Sequence, residues 1–284
     1  MVLDGHIHIR AGQEDPSVLR PALEKAGVDG GVVISLPPRS FGWGTGAAAE
    51  RLDDLFRWTG SGTDLFPFFW IDPIEPDAAE QVGLAVQRGV SGFKVICDRF
   101  YPGDGRAIGV FRQIAAEGKP ILFHSGILWD GKPSGKYNPP VEFEALIEVA
   151  GLRFALAHLS WPWCDECIAV YGKFLNAQSR RRNFSVEMFI DVTPGTPPIY
   201  RRDALTKLFA VGYHVENNVL FGTDCCANDY NDAWAREWID RDNAIYKDLG
   251  LSTETLEGVF GANLRRFIGL STDSVTRRTP RPAQ

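Results

Sequence analysis

Short apolar runs alternate with amphipathic stretches from one end of the chain to the other. The apolar runs predict eight strands, at residues 2–8, 31–36, 65–71, 92–97, 120–124, 153–158, 184–191 and 219–223. Between the strands, apolar residues recur at intervals of three and four, which is typical of helices with one buried face. These stretches predict helices at residues 17–26, 47–58, 78–88, 108–117, 141–150, 164–178, 203–211 and 234–249.

Alternating strands and helices are the sequence pattern of a parallel sheet with helical connections. Eight such units within about 270 residues close most simply as a distorted (β/α)8 TIM barrel of the α/β class. We therefore expect residues 1–270 to form one domain, in which residues 253–268 add a C-terminal helix beyond the eighth unit. Residues 271–284 are rich in Thr, Arg and Pro, which predicts a flexible tail.

The composition is that of a soluble globular protein, with 44% hydrophobic residues among 284. The net charge of −6 argues against a nucleic-acid partner, and no run approaches the roughly 20 apolar residues of a membrane span. Five cysteines, an odd number, fit reduced thiols, and no export signal is visible, so a cytoplasmic location is expected. The expected partner is a small-molecule substrate, and the sequence leaves the choice between monomer and homo-oligomer open.

Four of the five histidines fall at the ends of predicted strands. They are His6 and His8 on the first strand, His124 on the fifth and His158 on the sixth. Barrel active sites are built at this face, because the strand ends converge there and the following loops supply the walls. Since His6 and His8 are two residues apart, both side chains point to one face of the strand and can ligate one ion.

A carboxylate at the end of the eighth predicted strand, Asp224, would complete a metal site with these imidazoles. His124 would add a nitrogen from another strand end. Imidazole and carboxylate ligands suit zinc, manganese or iron. The alternative is a set of hydrogen-bonded core histidines, but four of five histidines at one end of a barrel favour the metal site.

Five segments, spread over nearly the whole chain, share the pattern of one superfamily. They are Asp4-Gly5-His6-Ile7-His8, Ile121-Leu122-Phe123-His124-Ser125-Gly126, Ala155-Leu156-Ala157-His158, Leu220-Phe221-Gly222-Thr223-Asp224 and Gly261-Ala262-Asn263-Leu264-Arg265-Arg266-Phe267. Together they resemble the amidohydrolase superfamily, most closely its amidohydrolase-related branch of aminocarboxymuconate-semialdehyde decarboxylase-like barrels. The resemblance implies one divalent metal ion, Zn²⁺ before Mn²⁺ or Fe²⁺, and four ligands: His6, His8, His124 and Asp224. It implies that His158 is a further ligand or a catalytic acid or base.

The function implied by this resemblance is hydrolysis of a C–N or C–O bond in a small amide, cyclic imide or lactone by a metal-activated water. Asp224 would accept a proton from the water and pass it to the leaving group, while His158 stabilises the developing oxyanion. A decarboxylase or hydratase of an unsaturated carboxylic acid is the alternative among enzymes. An inactive barrel that binds a ligand is the alternative of another class.

Residues near the predicted strand ends are candidates for substrate binding. Arg10 lies two residues beyond His8, so it shares one face of the strand and suits a substrate carboxylate. Trp129 and Trp161 lie in loops after strand ends, where they would give a pocket an aromatic wall. These residues favour a carboxylated or aromatic substrate.

Lys94, on the fourth predicted strand, is a further substrate-binding candidate and decides how many metal ions are expected. Its context resembles that of the lysine that is carboxylated and bridges two ions in dihydroorotase-like members of the superfamily. It also resembles a Gly-x-Lys segment of the amidohydrolase-related branch, where one ion is commoner. Lys94 precedes its predicted strand end by three residues, whereas His124 lies at its own. We therefore expect one ion and an unmodified lysine that points to the ligand carboxylate or the substrate.

Overall fold

The computed structural model describes residues 1–12, 15–42, 44, 46–60 and 64–270, so the predicted tail, residues 271–284, lies outside the described residues. The strands are β1 (Leu3–His8), β2 (Gly30–Ile34), β3 (Leu65–Trp70), β4 (Gly92–Val95), β5 (Ile121–Phe123), β6 (Arg153–Leu156), β7 (Glu187–Asp191), β8 (Val219–Leu220) and β9 (Cys225–Cys226). The α-helices are α1 (Leu19–Ala26), α2 (Ala48–Thr59), α3 (Ala78–Arg88), α4 (Gly105–Ala116), α5 (Cys164–Arg180), α6 (Pro198–Ala210), α7 (Asp232–Asp248), α8 (Thr253–Glu257) and α9 (Asn263–Phe267).

The strands form one parallel sheet in which each strand from β1 to β8 pairs with the next. β9 pairs with the other side of β1, because it continues the segment that leaves β8. Within that segment Phe221 O accepts the N–H of Gly5 at 2.9 Å, and the N–H of Asp224 donates to His6 O at 3.0 Å. These bonds close the sheet on itself and confirm the predicted (β/α)8 barrel.

Alternate residues of the strands divide the core into two parts. In β2, Val32 and Ile34 pack inside the barrel, whereas Val33 between them packs against the helical layer. In β3, Phe68 faces the interior and Phe69 faces the helices. The continuous apolar runs of the sequence therefore reflect strands that are buried on both faces.

The C-terminal helix α9 plugs the amino-terminal end of the barrel. The ring of Phe267 packs against those of Phe68 and Phe189, with centroids 6.3 and 5.0 Å apart. Arg153, the first residue of β6, donates from Nε to Phe267 O at 3.1 Å. Because this end is filled, a site can open only at the carboxyl ends of the strands.

Beyond shifts of element ends and the short unpredicted strand β9, three elements differ from the sequence prediction in helix type, continuity or the conformation of their last residues. The helix expected at residues 141–150 is a 3₁₀ helix, Pro140–Glu148, since an apolar period of three to four suits both helix types. A π-helical turn, Gly258–Ala262, divides the helix expected at residues 253–268. The sixth strand ends at Leu156 rather than at residue 158, because His158 has a positive φ of 62°. Among the described residues, none of the helices combines the length and apolarity that a membrane span requires.

A buried ion pair ties α6 to α7. Nε and Nη2 of Arg201 donate to Oδ1 and Oδ2 of Asp242 at 2.9 and 2.5 Å, and both residues are fully buried. Asp242→Ala would leave the guanidinium unpaired, so we expect the free energy of unfolding to fall by about 3–5 kcal/mol. Urea denaturation followed by circular dichroism measures it. Asp248→Ala, which breaks an exposed pair with Arg202, is the control expected to cost under about 1 kcal/mol, and equal losses would contradict the prediction.

Candidate metal centre

His6 and His8 lie side by side at the carboxyl end of β1. Their Nε2 atoms are 3.2 Å apart. Nδ1 of His6 donates to Oδ2 of Asp191 at 2.8 Å, which leaves Nε2 as the unprotonated nitrogen of the neutral ring. Asp191 is the last residue of β7, and its Oδ1 accepts the backbone N–H of Thr193 at 2.6 Å. The buried Asp191 carboxylate thus fixes both the tautomer and the orientation of the His6 ring.

Asp224 follows β8 and completes a three-residue group. Its Oδ1 lies 3.7 Å from His6 Nε2 and 3.6 Å from His8 Nε2. The backbone of Asp224 has a positive φ of 60°, and its N–H is held by His6 O. The turn after β8 therefore brings a carboxylate to the two imidazoles of β1.

Buried Asp4 secures the backbone that precedes Asp224. Its Oδ1 accepts the N–H groups of His6 and Thr223 at 3.0 and 2.9 Å. Its Oδ2 accepts the hydroxyl groups of Thr223 and Tyr230 at 2.5 and 2.9 Å. Burial raises the pKa of Asp4 to about 6, and the donors around it oppose that rise. Asp4 therefore ties the end of β1 to the turn that follows β8.

The three donor atoms of the group fit a single divalent cation. Bonds of about 2.1 Å at tetrahedral angles place neighbouring ligand atoms about 3.4 Å apart. The observed separations are 3.2, 3.6 and 3.7 Å. A search of the described part of the chain for clustered His, Cys, Asp and Glu side chains finds one group with ligand atoms this close together, which is His6, His8 and Asp224.

Burial keeps the imidazoles of the site neutral. It lowers the pKa of His6, His8 and His124 well below the usual value. It also lowers the pKa of His158 to about 4. The positive charge of Lys94 adds to the effect in all four rings. Neutral imidazoles can offer a lone pair to a cation without first losing a proton.

The Asp224 carboxyl group can exchange a proton near neutral pH. The barrel wall limits its hydration and raises its pKa to about 7, although 41% of the side chain remains open to solvent. The charge of Lys94 opposes this rise, that of Asp191 adds to it and that of Arg10 opposes it. Asp224 is therefore at once a candidate ligand and a candidate acid or base.

Lys94 reaches the same group from β4. Its Nζ lies 3.2 Å from His6 Nε2, and the residue is 1% exposed. Burial lowers the pKa of Lys94 to about 8, against the opposing effect of Asp224 and Asp191. Lys94 pairs in register with Leu122, two residues before position 124, so its backbone lies deeper in the barrel, and the long side chain recovers that depth.

His124 and His158 lie beside the three-residue group. The ring centroid of His158 is 5.3 Å from that of His6 and 5.0 Å from that of His124. His124 Nε2 and His158 Nδ1 are buried without a hydrogen-bond partner among the described residues. The structure thus brings three of the four predicted ligands together and places His124 next to them. The unpaired nitrogens, His124 Nε2 and His158 Nδ1, can form hydrogen bonds to a substrate.

The other predicted substrate contacts lie at the rim of the barrel. Arg10 is exposed, and its backbone N–H and O bond to the Asn228 side chain at 2.8 and 2.9 Å. Trp161 stacks on Tyr200 with ring centroids 4.8 Å apart. Trp129 is 84% exposed. Of these residues, Arg10 is the one whose charge acts on Asp224 and His8.

Two residues of the site were not assigned these roles by the sequence analysis. Asp191 orients His6, and its position at the end of the seventh predicted strand was the available signal. Trp70, the last residue of β3, has its ring centroid 5.7 Å from that of His8 and forms a wall beside it. Nothing in the local sequence distinguishes Trp70 from an ordinary core residue.

The chain can now be compared with known proteins. Its sequence matches the model of the family described as Amidohydrolase over residues 45–270. The chain belongs to this family. No curated protein gives a significant match to this amidohydrolase. The matched range contains His124, His158 and Asp224, whereas His6 and His8 precede it.

Solved structures share the fold of this amidohydrolase. An uncharacterized TIM-barrel protein from Bordetella bronchiseptica is 16% identical with a TM-score of 0.68, covering 95% of this chain and 98% of that chain. A probable 2-pyrone-4,6-dicarboxylic acid hydrolase from Acinetobacter baumannii is 11% identical (TM-score 0.62; 94% and 99% covered). The 2,6-dihydroxybenzoate decarboxylase from Rhizobium is 14% identical (TM-score 0.60; 95% and 98% covered). These neighbours include both a hydrolase and a decarboxylase.

Membership of the family supports reading the three-residue group as a metal site. Amidohydrolases generally bind a divalent metal ion, and His6, His8 and Asp224 have the spacing that suits one. The group lies at the carboxyl ends of the strands, where barrel enzymes carry their chemistry.

Proposed function

We propose that this amidohydrolase hydrolyses a C–N or C–O bond of a small organic substrate, an amide, a cyclic imide or a lactone, with one zinc ion. The proposal is carried by the separations of 3.2–3.7 Å among His6 Nε2, His8 Nε2 and Asp224 Oδ1. Three protein ligands that leave one position open are typical of catalytic zinc, whereas structural sites are closed by four. That His124 is a fourth ligand stays a prediction.

Asp224 and His158 have different tasks in the proposed reaction. When bound, the ion would supply a water whose lowered pKa makes it a nucleophile at neutral pH. Asp224 takes a proton from the attacking water on a carboxylate oxygen and gives it to the leaving group. His158 is neutral at pH 7 and hydrogen-bonds the substrate oxygen that gains charge.

An enzyme accounts for the site better than an inactive ligand-binding barrel. Asp191 holds His6 in one tautomer, and Asp4 fixes the turn before Asp224. A binding cavity alone has no need for three side chains at metal spacing, one of which is a carboxylate that can also carry a proton.

Arg10→Met tests carboxylate recognition at the rim. The guanidinium lowers the pKa of Asp224 and of His8, so its charge lies close to the site. For a carboxylated substrate we expect KM to rise about tenfold or more, as a lost charge-assisted hydrogen bond of about 1.5–3 kcal/mol implies. Any change in kcat that follows from the raised pKa of Asp224 should be the same for the acid and for its ester. Steady-state kinetics on the acid and its neutral methyl ester measure the effect. An equal rise in KM for both compounds would contradict it.

Metal analysis and a substrate screen test the proposed function itself. Protein purified without chelator is expected to contain about one zinc ion per chain by inductively coupled plasma mass spectrometry. Chelation should abolish hydrolysis, and added zinc should restore it. The screen compares lactones, amides and cyclic imides with carboxylated dienes. Carbon dioxide released from the dienes would show a decarboxylase instead, and less than about a tenth of an equivalent of metal would contradict the zinc site.

A further inference from the structure

The exposed fractions of the site residues show from which side a ligand can reach the site. His6 and Lys94 are 1% exposed, His124 7% and His158 9%, whereas the side chains of His8 and Asp224 are 19% and 41% exposed. The exposed members lie at the ends of β1 and β8. A substrate therefore reaches the site from above these two strands.

The loops after β5 and β6 close the opposite side. The N–H of Ile127 donates to Trp161 O at 2.9 Å. Gly126, at a φ of 99°, approaches so closely that a Cβ there would lie 2.3 Å from the same oxygen. Buried Asn138 donates from Nδ2 to Cys97 O at 2.9 Å and so ties the loop after β5 to the end of β4. Backbone packing covers the inner histidines on this side.

An open cleft of about 350 Å³ reaches Asp224 from the other side. It is lined by Arg10, Asp224, Cys225, Cys226, Asp229, Asn231 and Trp234. Asn228 fixes the backbone of Arg10, while the guanidinium forms no ion pair with any residue in the described ranges. The cleft thus presents a cation with free donors to an incoming anion.

Trp234 forms the aromatic wall of this cleft. Its Nε1 donates at 3.1 Å to the carbonyl oxygen of Thr223, the residue before Asp224. Its ring packs against that of Trp238 with centroids 5.4 Å apart. These contacts fix the indole near Asp224, yet Trp234 remains 39% exposed. A fixed and partly exposed indole offers a flat apolar surface to a ligand.

We propose that substrate enters through this cleft and that Trp234 determines specificity by packing against a planar part of the substrate, while Arg10 meets an anionic group. The inference rests on the proposed function, because it requires a metal ion at His6, His8 and Asp224. Two chelators serve as probes of the route. Pyridine-2,6-dicarboxylate has a flat ring and two carboxylates, whereas nitrilotriacetate carries carboxylates without a ring.

Cys226 gives a test of the route. It lines the cleft and is half-buried, whereas the other four cysteines are buried, so a thiol reagent should label it alone. Pyrene maleimide on zinc-loaded protein is expected to slow zinc transfer to pyridine-2,6-dicarboxylate by about tenfold or more, and a small methylthio label should slow it less. The double variant Cys226→Ser, Lys132→Cys moves the label to the exposed loop after β5 and should leave the rate unchanged.

The zinc content measured before labelling distinguishes failure of the proposed function from failure of the proposed entry route. Protein that holds no zinc would overturn the proposed function. Zinc-loaded protein whose transfer rate ignores a bulky label on Cys226, with the zinc still bound after labelling, would overturn the route alone.

Trp234→Leu tests the selection of planar groups. We expect zinc transfer to pyridine-2,6-dicarboxylate to slow by about threefold to tenfold and transfer to nitrilotriacetate to change by less than about twofold. Trp234→Phe keeps a ring but loses the N–H bond to Thr223, and it should keep most of the preference. Equal slowing with both chelators would show that Trp234 acts only by holding Thr223, and would overturn its role in specificity.

Discussion

His8→Ala is expected to empty the metal site and to lower kcat/KM by about 10³-fold, because zinc contributes several kcal/mol as a Lewis acid and each 1.36 kcal/mol is a factor of ten. His8 Nε2 is one of three donor atoms that lie within 3.7 Å of one another. With His8 gone, His6 and Asp224 remain of the group, and the predicted ligand His124 does not replace the lost donor atom. Metal analysis and steady-state kinetics on the same preparation measure both effects, and an unchanged circular dichroism spectrum shows that the barrel is intact.

His158→Asn is the matched control for this prediction. His158 lies beside the three-residue group, with its ring centroid 5.3 Å from that of His6. Its loss should leave the zinc content near that of the unchanged protein while turnover falls. If His158→Asn empties the site, His158 is a ligand. If His8→Ala keeps a full equivalent of zinc, the three-residue group is not the metal site.

The parts of the fold and site that the sequence predicts follow from short-range periodicity. Apolar runs separated by helical patterns predict the order of the strands, and the closed parallel sheet confirms the barrel. The two-residue spacing of His6 and His8 predicts neighbouring side chains, and their Nε2 atoms lie 3.2 Å apart. Asp224, read from the end of the eighth strand, lies within 3.7 Å of both.

What the sequence does not predict depends on distances between strands and on local backbone turns. Strand ends place His124 and Asp191 at the same face, but side-chain reach decides that Asp191 contacts His6 while His124 lies next to His158. The positive φ of His158 has no marker in the sequence, because left-handed backbone usually belongs to glycine. The cleft beside Trp234 forms between elements that are distant along the chain.

For Lys94, the depth of the backbone in the barrel and the contacts of the side chain support different numbers of metal ions. The register with β5 places its backbone two residues below position 124, which favours the predicted single ion. Its Nζ nevertheless lies 3.2 Å from His6 Nε2, so its charge is next to the proposed zinc ligands. An unmodified ammonium there opposes a divalent cation, whereas a carboxylated lysine would help to hold two. Removing the Lys94 amine should therefore strengthen metal binding if the site holds one ion and weaken it if the site holds two.

Lys94→Met is expected to tighten zinc binding by up to about tenfold at pH 7 and to leave about one zinc ion per chain. The pKa of Lys94 is about 8 because burial lowers it, so at pH 7 the ammonium form dominates and zinc must displace its proton. Removing that proton one pH unit below the pKa costs about 1.4 kcal/mol, a factor of about ten in affinity. This factor is an upper limit, because loss of the Lys94 charge also raises the pKa of Asp224 and so opposes zinc binding there. At pH 9 the lysine is already neutral, so the difference between Lys94→Met and the unchanged protein should vanish.

Competition with a fluorescent zinc chelator at both pH values measures these affinities. Lys132→Met, which removes an exposed lysine from the loop after β5, is the control and should leave the zinc affinity unchanged. Weaker zinc binding by Lys94→Met, with a fall from two ions per chain to one or none, would mean that Lys94 is a carboxylated bridging ligand. The carbamate oxygens of such a lysine would hold the ions, and the single-ion mechanism built on Asp224 would have to be replaced by a two-ion mechanism.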